Sequence, residues 1–171
     1  MSIAGAADTP ASPEARFHAL FARHYPAVFG YAARRLGRDQ AGDAAAEVFT
    51  VAWRRLGRVP PEPETLPWLY AVARKVVANQ RRAARRRLRL QAAAASGPNG
   101  TDDPGAAIDL EAALSLLAEA DRELLRLAAW EELQPREIAA ALGCSANAAT
   151  VRLHRARRRL AAALNQRGTQ P

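Results

Sequence analysis

Gln134-Pro-Arg-Glu-Ile-Ala-Ala-Ala-Leu-Gly-Cys-Ser145, followed by Ala146-Asn-Ala-Ala-Thr-Val-Arg-Leu-His-Arg-Ala-Arg-Arg-Arg-Leu160, decides the fold class. Pro135 suits the first turn of a helix, where its missing N–H would have no partner anyway. Glu137 suits the same positive end. Ile138 and Leu142 face inward, and Ala139 is small enough for a second helix to approach closely. Gly143 supplies a turn whose left-handed backbone is cheap only for glycine. Ser145 can cap the helix that follows. That second helix turns Ala149, Leu153, Ala156 and Leu160 inward at spacings of four, three and four. Asn147, Thr150, Val151, His154, Arg155 and Arg158 then lie on the opposite face. The pattern predicts a helix-turn-helix.

A helical hairpin with a merely solvated basic helix shares most of these features. Arg152, Arg155, Arg157, Arg158 and Arg159 on one helix favour a nucleic-acid partner instead. Asn147 and Thr150, in the first turns, are placed to read base edges. The arginines hold phosphates, which sets register without reading sequence. The expected DNA-contact set is Asn147, Thr150, Val151, Arg152, His154, Arg155 and Arg158.

The rest of the chain agrees in charge. The 171 residues carry a formal charge of +8 with a pI near 11.0, which points to a polyanionic partner. Of 25 basic residues only Lys75 is lysine, a skew typical of a GC-rich genome, so arginine at any one site carries little weight. Cys144 is the only cysteine, which excludes an intramolecular disulfide and fits a reducing compartment. Next to the turn it reads as a small core residue rather than a redox sensor. His18, His24 and His154 are scattered, so no metal and no cofactor are expected. No apolar run reaches the ~20 residues needed to span a bilayer, and the N-terminus lacks the layout of a signal peptide. The expectation is a soluble cytoplasmic protein, associated with the nucleoid and not inserted in a membrane.

Residues 1–13 read as a disordered tail. A helix is expected from Glu14, with Phe17, Leu20 and Phe21 on one face, and a second from Pro26 to Leu36, ended by Gly37. Ala45, Val48, Phe49, Ala52, Trp53 and Leu56 form the cleanest apolar stripe in the chain. Asp43, Glu47, Thr50 and Arg54 lie away from it, and Gly57 is expected to end that helix. Val59–Thr65 is a stiff proline-rich loop. A long helix from about Leu66 to Leu90 buries Leu69, Val72, Ala73 and Val76. It carries Arg81, Arg82, Arg85, Arg86, Arg87 and Arg89 in its C-terminal half. The composition then shifts to Ala, Ser, Gly, Pro, Asn and Asp, which predicts a flexible linker over 91–107. Beyond it Ile108, Leu110, Leu114 and Leu117 open a new apolar pattern. Asp121 is expected to cap a helix burying Leu124, Leu125, Leu127 and Ala128, with Trp130 near its end. The prediction is an all-α chain of two small helical domains, 14–90 and 108–171, the second a helix-turn-helix.

Three stretches in order carry a wider likeness: Asp43-Ala-Ala-Ala-Glu-Val-Phe-Thr-Val-Ala-Trp53, Trp68-Leu-Tyr-Ala-Val-Ala-Arg-Lys75, and Glu137–Ser145 with Val151–Arg157. With them the chain resembles a bacterial RNA polymerase sigma factor of the small, two-domain extracytoplasmic-function type, over about Glu14 to Leu164. The resemblance implies a non-catalytic initiation subunit that binds core RNA polymerase. The 43–56 helix would dock on the β′ clamp through Asp43, Glu47, Thr50 and Arg54, with further contact to the β subunit. The helix-turn-helix would read the −35 duplex. The Val59–Thr65 loop would capture a base flipped from the −10 element, against an unstacking cost of a few kcal/mol. Trp68, Tyr70, Arg74, Lys75, Arg81, Arg82 and Arg85 would serve the −10 region, although Trp68 reads better as core. An anti-sigma protein is implied as a further partner. The chain departs from the family's usual residues at Lys75 and Asn79, which bears on the −10 contacts, at Ala44–Ala46, which bears on the polymerase contact, and at Asn147–Thr150, which leaves its promoter preference its own.

From the residues alone, a second class stays open: a helix-turn-helix regulator with an N-terminal dimerisation or sensing domain, predicting a stable dimer on a palindromic site. An enzyme has little support, since there is no acid/base pair, nucleophile constellation or phosphate-cradling glycine loop.

Overall fold

The computed structural model describes residues 12–92 and 106–167, and every regular element among them is helical. Helix α1 spans Pro13–Leu36, α2 Arg38–Arg54, α3 Thr65–Ala92, α4 Ala106–Ser115, α5 Glu119–Ala129, α6 Pro135–Leu142 and α7 Ala146–Arg167, with a short 3-10 turn at Leu56–Arg58. The expected tail and linker lie for the most part outside the described residues. Where the structure does describe their edges, α1 begins at Pro13, α3 runs to Ala92 and α4 begins at Ala106.

The break expected at Pro26 does not occur; α1 is one helix with Pro26 inside it. An interior proline removes a hydrogen bond and crowds the preceding turn, at a cost of ~3 kcal/mol. Aromatic side chains on both sides of it offset that cost. The rings of Phe21 and Tyr25 lie 4.9 Å apart and those of Tyr25 and Phe29 5.9 Å apart, a ladder that bridges the turns around Pro26. The chain reverses instead at Gly37, whose φ of 86° is accessible to glycine and whose N–H bonds back to Ala33 O at 3.0 Å. Helix α2 therefore starts at Arg38, earlier than its apolar stripe, and Gly57 falls in the 3-10 turn beyond its end.

The first half packs α1, α2 and α3 around Val28, Tyr31, Val48, Phe49, Leu69 and Val76. Alanines on α2, among them Ala41, Ala45 and Ala52, are fully buried and allow close helix approach. Trp53, expected within the apolar stripe, is instead 44% exposed. The second half packs α4, α5 and α6 on α7, around Leu114, Leu124, Leu127, Ile138, Ala149, Leu153 and Ala156. Asp121 does not cap α5. The helix begins at Glu119, and the Asp121 carboxylate, buried in the first turn, pairs with Arg159 of α7. The two halves also touch each other, principally through α3 against α6.

Candidate nucleic-acid interface and the contact between the halves

The helix-turn-helix has the local chemistry its sequence dictates. Gln134 and Glu137 form a reciprocal capping box at the start of α6, with Gln134 N donating to Glu137 Oε2 at 2.7 Å. Gly143 has φ 67° and ψ 43°, the left-handed turn. Ser145 Oγ accepts from Ala148 N at 3.2 Å, capping α7. Ile138, Ala139, Ala149, Leu153 and Ala156 are buried, while Leu142, Cys144 and Leu160 pack partly buried against them. Asn147, Thr150, Val151, Arg152, His154, Arg155 and Arg158 are all exposed. The Thr150 hydroxyl donates back to Ala146 O at 2.9 Å, leaving its methyl group to face outward contacts.

The residues expected to serve the −10 region are divided. Lys75, Arg82 and Arg85 on α3 are exposed. Trp68 is half-buried and packs against the core. Tyr70 is only 3% exposed, and its hydroxyl donates to Glu131 Oε2 at 3.4 Å, so in this arrangement no base can reach it. Arg74 is half-buried, with its Nε enclosed and without a hydrogen-bond partner. Arg81 donates to Glu119 Oε1 of the second half and to Arg35 O of its own half, both at 2.9 Å. The loop before α3 is fixed by Glu62, which binds His24 Nε2 at 2.8 Å and Arg23 Nε at 3.3 Å, and by Thr65, which donates to Pro60 O at 2.8 Å.

Asp43, Glu47, Thr50 and Arg54 share the outer side of α2 and are exposed. Beside Thr50 lies an apolar groove that the sequence reading missed, lined by Phe17, Phe21, Phe49 and Trp53. Phe17 and Trp53 meet edge to face at 5.1 Å, and Phe21 and Phe49 at 4.8 Å. Its signal was present: Phe17 and Phe21 on α1, and Phe49 and Trp53 on α2, are aromatic pairs at helical i, i+4 spacing on two helices that pack together.

The largest feature missed is a buried polar cluster between the halves. Arg35 of α1 donates through Nε and Nη2 to both oxygens of Glu123, each at 3.1 Å, and through Nη1 to Glu131 Oε1 at 2.9 Å. Its guanidinium also lies 3.5 Å from the centroid of the Tyr31 ring. Tyr31 donates to Glu123 Oε1 at 2.7 Å, and Arg34 pairs with Glu131 as well. Burial, and then the Glu123 carboxylate, push the Tyr31 phenol well above its ordinary range; burial and Glu131 do the same to Tyr70. Both therefore remain neutral donors. A fully paired cluster avoids the heavy penalty of burying a lone charge. Arg35 falls on the same helical face as Val28, Tyr31 and Ala32, so a charge on an apolar stripe was the available signal.

Among the described residues no helix is long and apolar enough to cross a membrane, and no group of His, Cys, Asp or Glu is arranged to hold a metal ion.

Comparison with known proteins places both halves. The Sigma-70 region 2 family model matches residues 20–87, and the Sigma-70, region 4 model matches residues 107–160. The chain is 34% identical over 145 residues to RNA polymerase sigma factor CarQ of Myxococcus xanthus, covering 81% of this chain and 83% of that protein. Among solved structures it is similar to CnrH in complex with the cytosolic domain of CnrY, at 28% identity and a TM-score of 0.60, covering 88% of each chain. The fold also matches the sigma factor RpoE of Bartonella quintana in complex with the anti-sigma factor NepR, at 22% identity and a TM-score of 0.64, covering 87% of this chain and 96% of that one. The chain belongs to the RNA polymerase sigma factor family, as a member of its two-domain extracytoplasmic-function type.

Proposed function

We propose that this protein joins core RNA polymerase and directs initiation at a two-part promoter, with the second half reading −35 duplex and the first half opening the −10 element. The observation that carries the reading is the capped, glycine-turned pair α6–α7, which exposes Asn147, Thr150 and Val151 above a row of arginines. Asn and Thr at the start of a recognition helix meet base edges in the major groove, and the arginines behind them meet phosphates. In the first half, Lys75, Arg82 and Arg85 supply phosphate contacts, and the Val59–Thr65 loop, held by Glu62 and Thr65, presents the pocket for a flipped base.

The outer side of α2 and the aromatic groove beside it are the docking surface for polymerase. Asp43, Glu47, Thr50 and Arg54 supply polar contacts around an apolar anchor at Trp53, the composition of an interface hot spot with a polar rim. An anti-sigma protein is the expected inhibitory partner in the cytoplasm. Two solved proteins of similar fold stand in complexes, one of them a sigma factor with an anti-sigma factor.

One step is required before promoter binding. Elements of a two-part promoter are separated along the duplex at ~3.4 Å per base pair. Arg82 and Arg85 of α3 share one cleft with Arg152 and Arg155 of α7. The Arg35 cluster must therefore part for both halves to reach their elements.

Purified protein added to core polymerase is expected to yield discrete transcripts from genomic fragments. Stimulation only of polymerase already saturated with another sigma factor, with no transcript from core enzyme plus this protein, would overturn the reading.

A further inference from the structure

The cleft between the halves is more basic than their packing alone explains. It encloses about 710 Å³. Arg74, Arg81, Arg82 and Arg85 line it from α3, and Arg152, Arg155 and Arg159 line it from α7. Two of these are neutralised, Arg81 by Glu119 and Arg159 by Asp121. Arg74, Arg82, Arg85, Arg152 and Arg155 make no ion pair among the described residues. The Nε of Arg74 is moreover buried without any hydrogen-bond partner. A buried donor on a charged group is costly to leave unmade. Like charges gathered around one cleft also repel, an effect that solvent and salt screen only in part. The Arg35 cluster thus brings together two basic walls that resist being together.

We propose that this cleft is a binding site for a small polyphosphate, a chain of three or more phosphate groups that bridges α3 and α7 and holds the halves together. Guanidinium forks match phosphate oxygens in pairs, and arginine is the residue best suited to such contacts. A single phosphate group carries a charge of about −1.5 to −2, too little to balance five cations on two walls. The volume falls within the ~300–1,000 Å³ usual for small-molecule sites. A ligand that takes contacts from both walls binds only the packed arrangement, and by mass action shifts the population toward it. Its consequence for transcription, inhibition, rests on the proposed function; the site itself does not.

The test uses the full chain alone, titrated calorimetrically with sodium tripolyphosphate at fixed ionic strength and without divalent cations, with sulfate as the control anion. One-to-one binding at least 100-fold tighter than sulfate is expected. Arg85→Ala and Arg155→Ala, one on each wall and both exposed, are each expected to weaken it at least tenfold. A nucleoside 5′-triphosphate in a parallel titration identifies the source. Affinity equal to tripolyphosphate assigns recognition to the phosphate chain alone, and tenfold tighter binding assigns a nucleotide; either supports the site. Binding no tighter than sulfate overturns the proposal. So does loss of affinity from only one of the two substitutions, which marks a basic patch on one half. No polymerase is present, so neither result bears on the sigma-factor reading, which the transcript assay tests by itself.

Discussion

Arg35 Nη1 lies 2.9 Å from Glu131 Oε1, both side chains only 1% exposed, although the two residues are 96 positions apart in the chain. One belongs to the half assigned to −10 opening, the other to the loop that leads into the helix-turn-helix. This pair, with Glu123 beside it, makes the contact between the halves a buried, directional one rather than a loose apolar touch. Breaking one partner of such a pair is far more damaging than never having buried it.

Glu131→Ala is therefore expected to separate the halves. It removes one of the two carboxylates on Arg35, a loss of about 3–5 kcal/mol for a buried pair, which the chain relieves by letting Arg35 hydrate. Small-angle scattering should show a larger radius of gyration, while the helical circular dichroism is retained. An unchanged radius would mean that the contact is held by something other than this cluster.

Alkaline pH should open the same contact. The Tyr31 and Tyr70 phenols are raised in the packed form, so below their ordinary value of about 10 they are neutral whether the halves are packed or apart, and the contact keeps its full strength. As pH climbs above about 10 the separated form ionises first, and packing is progressively lost on the way to the raised values. Acid acts through Glu119. Burial alone would raise its carboxyl, but Arg122 and Arg81 outweigh that and lower it. The contribution of the Arg81–Glu119 pair is present above the ordinary carboxylate range and fades as pH falls through the lowered value. Scattering from about pH 2.5 to about pH 11.5, from below the ordinary carboxylate value to above the ordinary tyrosine one, checks both limbs, and a flat profile would remove the role given to these groups.

At the turn of the helix-turn-helix, Gly143→Ala isolates backbone strain. No atom lies within 4 Å of the place an added Cβ would take, so the only cost is the positive φ. That is about 1–2 kcal/mol for a residue with a side chain. Thermal unfolding should show the loss. Ala140→Gly, on the exposed side of α6, should cost no more than ~1 kcal/mol and serves as the comparison.

Trp53→Ala should weaken binding to core polymerase at least tenfold, about 1.4 kcal/mol, as loss of an exposed aromatic anchor does. Stability should fall by only about 1 kcal/mol, the scale of its ring contact with Phe17. Fluorescence titration against core enzyme checks the first and chemical denaturation the second. Equal polymerase affinity in wild type and variant would take the aromatic groove out of the docking surface.

Arg155→Ala should lower affinity for promoter duplex and reduce the slope of log affinity against log salt by about one. A slope that does not move would show that Arg155 meets no phosphate.

Much of this molecule was legible before any fold was seen. The α6–α7 pair was readable because each of its parts is local: a proline and a glutamate at one end, a glycine in the turn, a serine cap, and apolar residues at helical spacing. The outward positions of Asn147 to Arg158 follow from that spacing alone. The boundaries read less well where two local signals conflict. Pro26 looked like a helix start, because the aromatic ladder that carries α1 through it is a packing effect. Asp121 looked like a cap, because its partner Arg159 stands on another helix. Tyr70 looked available to DNA, because nothing near it in sequence announces Glu131.

The sequence by itself determined the helices, the helix-turn-helix, the two arginine-bearing helices and the exposed side of α2, since periodicity, turn chemistry and charge act within a few residues of one another. Only the tertiary structure decided how the two halves face each other. That arrangement depends on Arg35 finding Glu123 and Glu131, 88 and 96 residues away, in a site where water is excluded and each charge needs its partner. No local pattern encodes such a pairing, and with it came the burial of Tyr70 and the basic cleft between α3 and α7.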